Sequence, residues 1–266
     1  MAGNESKVVQ YLFDNIGKIK LNHIGTVESI GAPKKGQEGY IQITNESEMH
    51  LIATTDSKKK ADVYINDFGV SVKQEGGSFG FNRLQRKSLD SVFSMLEFQN
   101  IPEKIRKFDE EVEKFHQSSD KKRNIDWSVF FNEQEFCDLT ELLMTKYSPK
   151  YGFSQHPADL ILIAAKAIKT TTDICVMDFP EYFKLKKDKL KIAIRRQWVG
   201  QDSTSEHKRA VSIAKVPENS SWVFNEVSGE PRNGWKSDFP ESDRKTVYFI
   251  MIEEVKGRMG RKKKNR

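Results

Sequence analysis

Between Ala61 and Gln74 the chain reads ADVYINDFGVSVKQ, and this stretch constrains the fold more than any other. Apolar residues recur with a two-residue period on both sides of Asn66-Asp67-Phe68-Gly69, a turn-forming tetrapeptide. The pattern predicts a β-hairpin with one apolar face, made by Val63, Ile65, Val70 and Val72. Asp62, Tyr64, Ser71 and Lys73 then share the opposite face. Antiparallel pairing brings Asp62 close to Ser71 and Lys73, because the turn lies midway between them.

The rest of the chain is read around this hairpin. SKVVQYLFDNIGKIK (6–20) has helical spacing at Val8, Val9, Leu12, Phe13 and Ile16. GYIQIT (39–44) and MHLIATT (49–55) are strand-like, and residues 89–100, 101–117 and 126–147 are helical, with Pro102 just inside the second of these helices. PADLILIAAKAIKT (157–170) suits either a helix or a buried strand, and periodicity does not decide between them. Segments 188–199, 208–216, 221–227 and 246–255 read as strands. The expected fold class is α/β (α+β): a central mixed sheet flanked by helices, with a β-rich C-terminal region. The expected division is 1–170 as a core carrying the hairpin and the helical region, 171–256 as the β-rich region, and 257–266 as a basic tail.

Hydrolysing a phosphodiester requires a cation to neutralise the non-bridging oxygens and acidify a water. Magnesium suits one or two carboxylates plus further oxygens. Asp62 can supply a carboxylate and the Val72 main-chain carbonyl another oxygen. Lys73 can orient or deprotonate the attacking water, or stabilise developing charge. KKKAD concentrates positive charge just before Asp62. Gly76 and Gly77 permit close approach to a phosphate, and GGSFGFNRLQR then runs into a helix start. Gln74, Ser78, Asn82, Arg83 and Arg86 from this segment are the expected DNA contacts, amides of this kind being able to read base edges.

Asp62 and Ser71-Val72-Lys73, set in KADVYINDFGVSVKQ, resemble the active-site core of the PD-(D/E)xK nuclease superfamily, and the setting resembles a type II restriction endonuclease. The resemblance rests on about 30 residues. It implies a restriction-endonuclease-like sheet, Mg²⁺ dependence, and cleavage of double-stranded DNA by a homodimer, with Asp62, Ser71 and Lys73 as the catalytic residues. Ser71 stands where that pattern usually has an acid. The second carboxylate is therefore open: Gln85, Lys87 and Asp90 do not match the Glu that Ser-x-Lys members bring from the following helix, and Glu48 and Glu75 are the nearby alternatives. Glu48 is carried as a metal ligand beside Asp62 and Val72.

Charge points the same way. Lys and Arg total 44 against 38 Asp and Glu, for a net charge of +6. That suits a polyanion partner, although GRMGRKKKNR at the end of the chain holds much of the excess. The run KLKKDKLKIAIRRQW (184–198) predicts a strand whose Arg195 and Arg196 track phosphates; its alternative is a solvated edge blunted by lysines. Arg232 and Lys236 lie on a loop that could also reach DNA. Cys137 and Cys175 form no metal or disulfide pattern and suit a reducing cytoplasm. No stretch is long and apolar enough to span a membrane, and the start, MAGNESK, has no apolar signal core. No nucleotide-binding or serine-hydrolase motif is present. His156, beside Pro157, reads as structural.

Overall fold

The structure is a computed structural model, and it describes residues 5–52, 58–75, 83–118, 123–200, 204–225 and 244–255. Its residues group into two compact units, each discontinuous in sequence. The first comprises Met1–Phe79, Thr140–Lys189 and Glu254–Arg266, and the second Gly80–Leu139 and Leu190–Glu253. The chain therefore passes between the units several times, instead of dividing once near residue 170. The basic tail, Arg232 and Lys236 lie outside the described residues.

A six-stranded mixed sheet organises the first unit. In spatial order its strands are Ile174–Met177, Leu160–Ala164, Phe68–Gln74, Val63–Ile65, Ile30–Pro33 and Tyr40–Gln42. Leu160–Ala164 runs parallel to Phe68–Gln74, with Leu160 opposite Val70 and Leu162 opposite Val72; the other pairings are antiparallel. The apolar face read from the sequence is buried, and burial alternates along Val63–Ile65, but on the returning strand Gly69 and Ser71 of the other face are buried as well. Val63, Ile65, Val70, Val72, Leu160 and Leu162 form one core with Val8, Val9 and Leu12 of the helix Glu5–Asp14. Fully burying each such side chain is worth about 1.5–3 kcal/mol, so this face holds the helix on the sheet. Within the ambiguous segment 157–170, Leu160–Ala164 is a buried strand, parallel to Phe68–Gln74, and its continuous apolar run LILIA is typical of that setting.

The second unit has a four-stranded sheet in the order Val223–Phe224, Thr246–Glu254, Leu190–Trp198, Asn124–Ile125. The helices Arg86–Met95, Ile101–Gln117 and Thr204–Ala214 belong to this unit. Phe93, Phe98, Phe108 and Phe131 form an aromatic cluster within it. Among the described residues no helix is long and apolar enough to cross a membrane.

Three local expectations are corrected. Residues 208–216 are not a strand but part of the helix Thr204–Ala214; the buried Ala210 and Ile213 are three apart, a helical spacing. Residues 49–52 of the expected strand 49–55, of which 53–55 lie outside the described residues, are not a strand, because Met49–Leu51 belong to a 3₁₀ helix, Glu46–Leu51. There the Glu48 carboxylate accepts from the Thr44 N–H (2.8 Å) and hydroxyl (3.1 Å), local bonds that compete with a strand ladder. The C-terminal third also gains the helix Phe179–Lys186, so it is less uniformly β than expected.

Candidate active site

The hairpin turn is tighter than the tetrapeptide suggested. Phe68 already pairs with Ile65, which leaves Asn66 and Asp67 as a two-residue turn with φ of 48° and 75°. Both residue types tolerate the left-handed region that such a turn demands. The Asn66 side chain pins the turn, accepting from the N–H groups of Glu28 (2.7 Å) and Ser29 (3.0 Å) and donating to the Thr26 carbonyl (2.5 Å). Gly69 is required for space, since a Cβ there would lie 2.4 Å from the Pro157 carbonyl oxygen. Its N–H donates to Asp159 Oδ2 at 2.8 Å, and the Asp159 N–H donates back to its carbonyl at 2.7 Å.

This register brings Asp62, Ser71 and Lys73 together. The Asp62 N–H donates to the Val70 carbonyl at 2.8 Å, and Asp62 Oδ2 accepts the Val72 N–H at 2.7 Å. Lys73 Nζ donates to Ser71 Oγ at 2.7 Å, and Ser71 Oγ donates to Asp62 Oδ2 at a longer 3.3 Å. Lys73 Nζ also donates to the Val72 carbonyl at 3.3 Å and stands 3.9 Å from Asp62 Oδ2. Ser71 is thus a buried relay, 2 % exposed, which accepts from the lysine and donates to the aspartate. All of these contacts fall on Oδ2, and Oδ1 takes no hydrogen bond from the described residues.

A second carboxylate interacts electrostatically with this group from an unexpected place. Glu5 opens the first turn of the helix Glu5–Asp14. Burial raises its carboxyl above the ordinary range, and the negative charge of Asp62 raises it further, while Lys59 and Lys73 oppose both. Glu5 therefore lies within electrostatic reach of Asp62 and Lys73. In the sequence, MAGNESK reads only as a polar start; the signal for Glu5 is an acid heading an amphipathic helix. Glu48 is exposed and bonded to Thr44 as described above, and this holds its carboxyl low. Glu75 is exposed, and Gln85, Lys87 and Asp90 belong to the second unit.

The lysines before Asp62 are held in place. Lys59 Nζ donates to the Ile52 carbonyl at 3.3 Å and Lys60 Nζ to the Leu143 carbonyl at 2.5 Å. Burial pushes the Lys60 ammonium down to about 8, helped by the positive charge of Lys73. His156, only 2 % exposed, secures the backbone at this point. Its carbonyl accepts the N–H groups of Lys60 (3.0 Å) and Ala61 (2.9 Å). Its Nε2 lies 2.7 Å from the Lys34 carbonyl, which can only accept, so Nε2 carries the proton and Nδ1 accepts the Tyr64 hydroxyl at 3.0 Å. The structural reading of His156 is thereby given a specific content: it is a clamp on the approach to Asp62.

A second group of possible metal ligands, His23, Asp178 and Glu181, places its ligand atoms within 4.8 Å of one another. It has an ordinary structural account. His23 Nε2 contacts Glu181 Oε2 at 2.7 Å, and Asp178 Oδ1 caps a helix by accepting the Glu181 N–H at 2.9 Å.

The expected DNA contacts divide differently. Gln74 ends the hairpin strand, and Ser78 and Asn82, like Gly76 and Gly77, lie outside the described residues. Arg83, Arg86, Arg195 and Arg196 belong to the second unit, where each is engaged. Arg83 lies over the Phe249 ring at 4.7 Å. Arg86 Nε donates to Asp109 Oδ1 at 2.8 Å, an oxygen shared with Trp222 Nε1 at 2.7 Å. Arg195 forms an ion pair with Glu253, and both side chains are about 15 % exposed. Arg196 lies over Trp198 at 4.9 Å and Phe115 at 5.5 Å.

Comparison with protein-family models, with curated proteins and with solved structures gave no match.

Proposed function

We propose that the chain is a Mg²⁺-dependent endonuclease of the PD-(D/E)xK type that hydrolyses double-stranded DNA at specific sites as a cytoplasmic homodimer, as type II restriction enzymes do. The observation that carries this reading is the meeting of Asp62, Ser71 and Lys73 on one face of a hairpin inside a six-stranded mixed sheet. A restriction-endonuclease-like core is the fold that would use such a hairpin in this way.

The donor set fits magnesium by its chemistry. It offers hard oxygens only: the Asp62 carboxylate with Oδ1 uncommitted, the Val72 carbonyl, and the Glu5 carboxylate nearby. Bound there, the ion would neutralise the non-bridging oxygens and lower the pKa of a water. Ser71 cannot carry the negative charge of the acid it replaces, so Glu5 is the candidate to restore it. Lys73, fixed by Ser71 Oγ and the Val72 carbonyl, is placed to orient the attacking water and stabilise charge developing on the phosphate. Ser71 would set the angle of the lysine relative to Asp62. The His156 clamp would keep the approach to Asp62 from shifting, and displacements of about 1 Å at such a centre can cost about 10²-fold in rate.

Plasmid digestion with Mg²⁺ and with EDTA, followed by sequencing of the ends, tests the reading directly. Discrete fragments with one end sequence are expected, lost with EDTA and reduced by at least about 10²-fold in Asp62→Ala. Nicking or smearing would favour a structure-selective nuclease with the same centre. An Asp62→Ala protein cutting at the wild-type rate would overturn the assignment.

A further inference from the structure

The helix Glu5–Asp14 and the 3₁₀ helix Glu46–Leu51, both in the first unit, border a cavity of about 370 Å³. Its size falls within the range of small-molecule sites, about 300–1,000 Å³. It shares no residue with the Asp62, Ser71 and Lys73 group or with Glu5. Its floor is core: Val9 and Ile52 are buried, and Met49 packs against the same cluster. Such a surface takes an apolar body, and a thioether favours contact with an aromatic ring.

The polar groups at its rim are of one kind. Gln10, Glu46 and His50 line the cavity, and Glu46 and His50 are exposed. Gln10 Nε2 donates to Asp14 Oδ1 at 3.0 Å and to Glu46 Oε1 at 3.1 Å, which uses both of its protons. Glu46 Oε2 takes no hydrogen bond from the described residues. His50 Nδ1 lies 2.5 Å from the Ser47 carbonyl, which can only accept, so Nδ1 carries the proton and Nε2 of the neutral ring is an acceptor. Nε2 likewise meets no donor among the described residues. The rim thus offers a carboxylate oxygen and an imidazole nitrogen, both acceptors and one of them charged. An anion would be repelled there, whereas an ammonium brings three donors on one positive charge.

We propose that this cavity is a binding site for a small organic amine, its apolar body resting on Val9, Met49 and Ile52 and its ammonium on Glu46 and His50. Binding requires neither Mg²⁺ nor DNA, so the site stands or falls independently of the nuclease reading.

The full chain at neutral pH, without Mg²⁺ or DNA, is titrated by calorimetry with phenethylamine, with phenethyl alcohol, which has the same shape without the charge, and with phenylacetate. Saturable binding of the amine is expected, with the alcohol at least about tenfold weaker and the carboxylate not bound. Glu46→Gln should weaken the amine at least about tenfold and leave the alcohol within about twofold. Met49→Trp, which fills the cavity, should abolish binding of both. A second measurement needs no variant. With isotope-labelled methionine methyl groups, phenethylamine should shift the Met49 resonance and show a nuclear Overhauser effect to it, while the exposed Met95, in the second unit, stays unmoved. Unsaturable uptake, an alcohol that binds as tightly as the amine, a Glu46→Gln protein that binds the amine like the wild type, or a Met49 resonance indifferent to the amine would each overturn the site.

Discussion

The lysines near Asp62 and the arginines of the second unit look alike in sequence, as basic residues in or beside amphipathic strands. The fold uses them differently. Arg195 is paired with Glu253 and Arg86 with Asp109, while Arg83 and Arg196 lie on aromatic rings. Lys59, Lys60 and Lys73 instead donate mainly to carbonyl and hydroxyl oxygens. A cation matched by a carboxylate projects little field beyond the pair, whereas one held by a dipole keeps its full charge. Arg86 and Arg195 are therefore cancelled where they stand, whereas the bonds of Lys59 and Lys60 go to carbonyl oxygens. Counting basic residues does not locate a polyanion site; the acceptor that each one has found does.

The largest effect that could break this comparison is at Arg195. If its charge is spent on folding, Arg195→Met should leave Glu253 buried and alone, costing about 3–5 kcal/mol in urea unfolding. The double variant Arg195→Met, Glu253→Leu should recover most of that loss, because both charges leave together. A single variant that folds with wild-type stability but binds duplex DNA less tightly would show that Arg195 serves the ligand and that the contrast with the lysines is false.

Lys60 should show the opposite signature, a charge tolerated at the expense of stability. Its folded pKa, about 8, lies below the unfolded value of 10.5. Between those values the unfolded chain binds more protons, so stability rises with pH across the window, and the cost of burying the charge is fully present below about pH 8. The difference in unfolding free energy between wild type and Lys60→Met should therefore move by an amount on the order of 3 kcal/mol at most between pH 7.5 and 10.5, in favour of the wild type at the alkaline end. A flat difference would mean that Lys60 is solvated like any surface lysine.

How far the sequence reached follows from the same physics. The hairpin was legible because a two-residue period encodes both its faces and its register, and Asp62, Ser71 and Lys73 meet as that parity required. Residues 208–216 misled because Val211 and Ile213 alternate over a short window, whereas burial at Ala210 and Ile213 follows a helix. The division into units was not legible, since only the crossing at Phe79–Gly80, in EGGSFG, has linker composition, and those at Leu139–Thr140, Lys189–Leu190 and Glu253–Glu254 fall within or beside regular elements. Glu5 and Lys60 were missed for a related reason. Glu5 lies 57 residues before Asp62, and the oxygen that fixes Lys60 lies 83 residues after it, on Leu143. No local pattern encodes contacts at those separations.

Glu5 offers the finest distinction, because it sets an acid that no local pattern pointed to against Glu48, the acid expected from the sequence. Glu5→Gln should weaken Mg²⁺ binding at least about tenfold by calorimetry, while Glu48→Ala, which removes local bonds to Thr44 and Asn45, should change it by no more than about twofold. The metal-free protein carries an independent mark of the same assignment. Burial and Asp62 raise the Glu5 carboxyl above its unfolded value near 4.5. The folded state then holds more protons than the unfolded one just above that pH, so this residue makes stability fall as pH rises through the window. Glu5→Gln should remove that slope, and saturating Mg²⁺ should reverse it in the wild type, since an ion on the carboxylate favours its charged form. If the slope persists in Glu5→Gln and responds instead to Glu48→Ala, the second carboxylate of the site is Glu48, and the helix Glu5–Asp14 serves only to pack against the sheet.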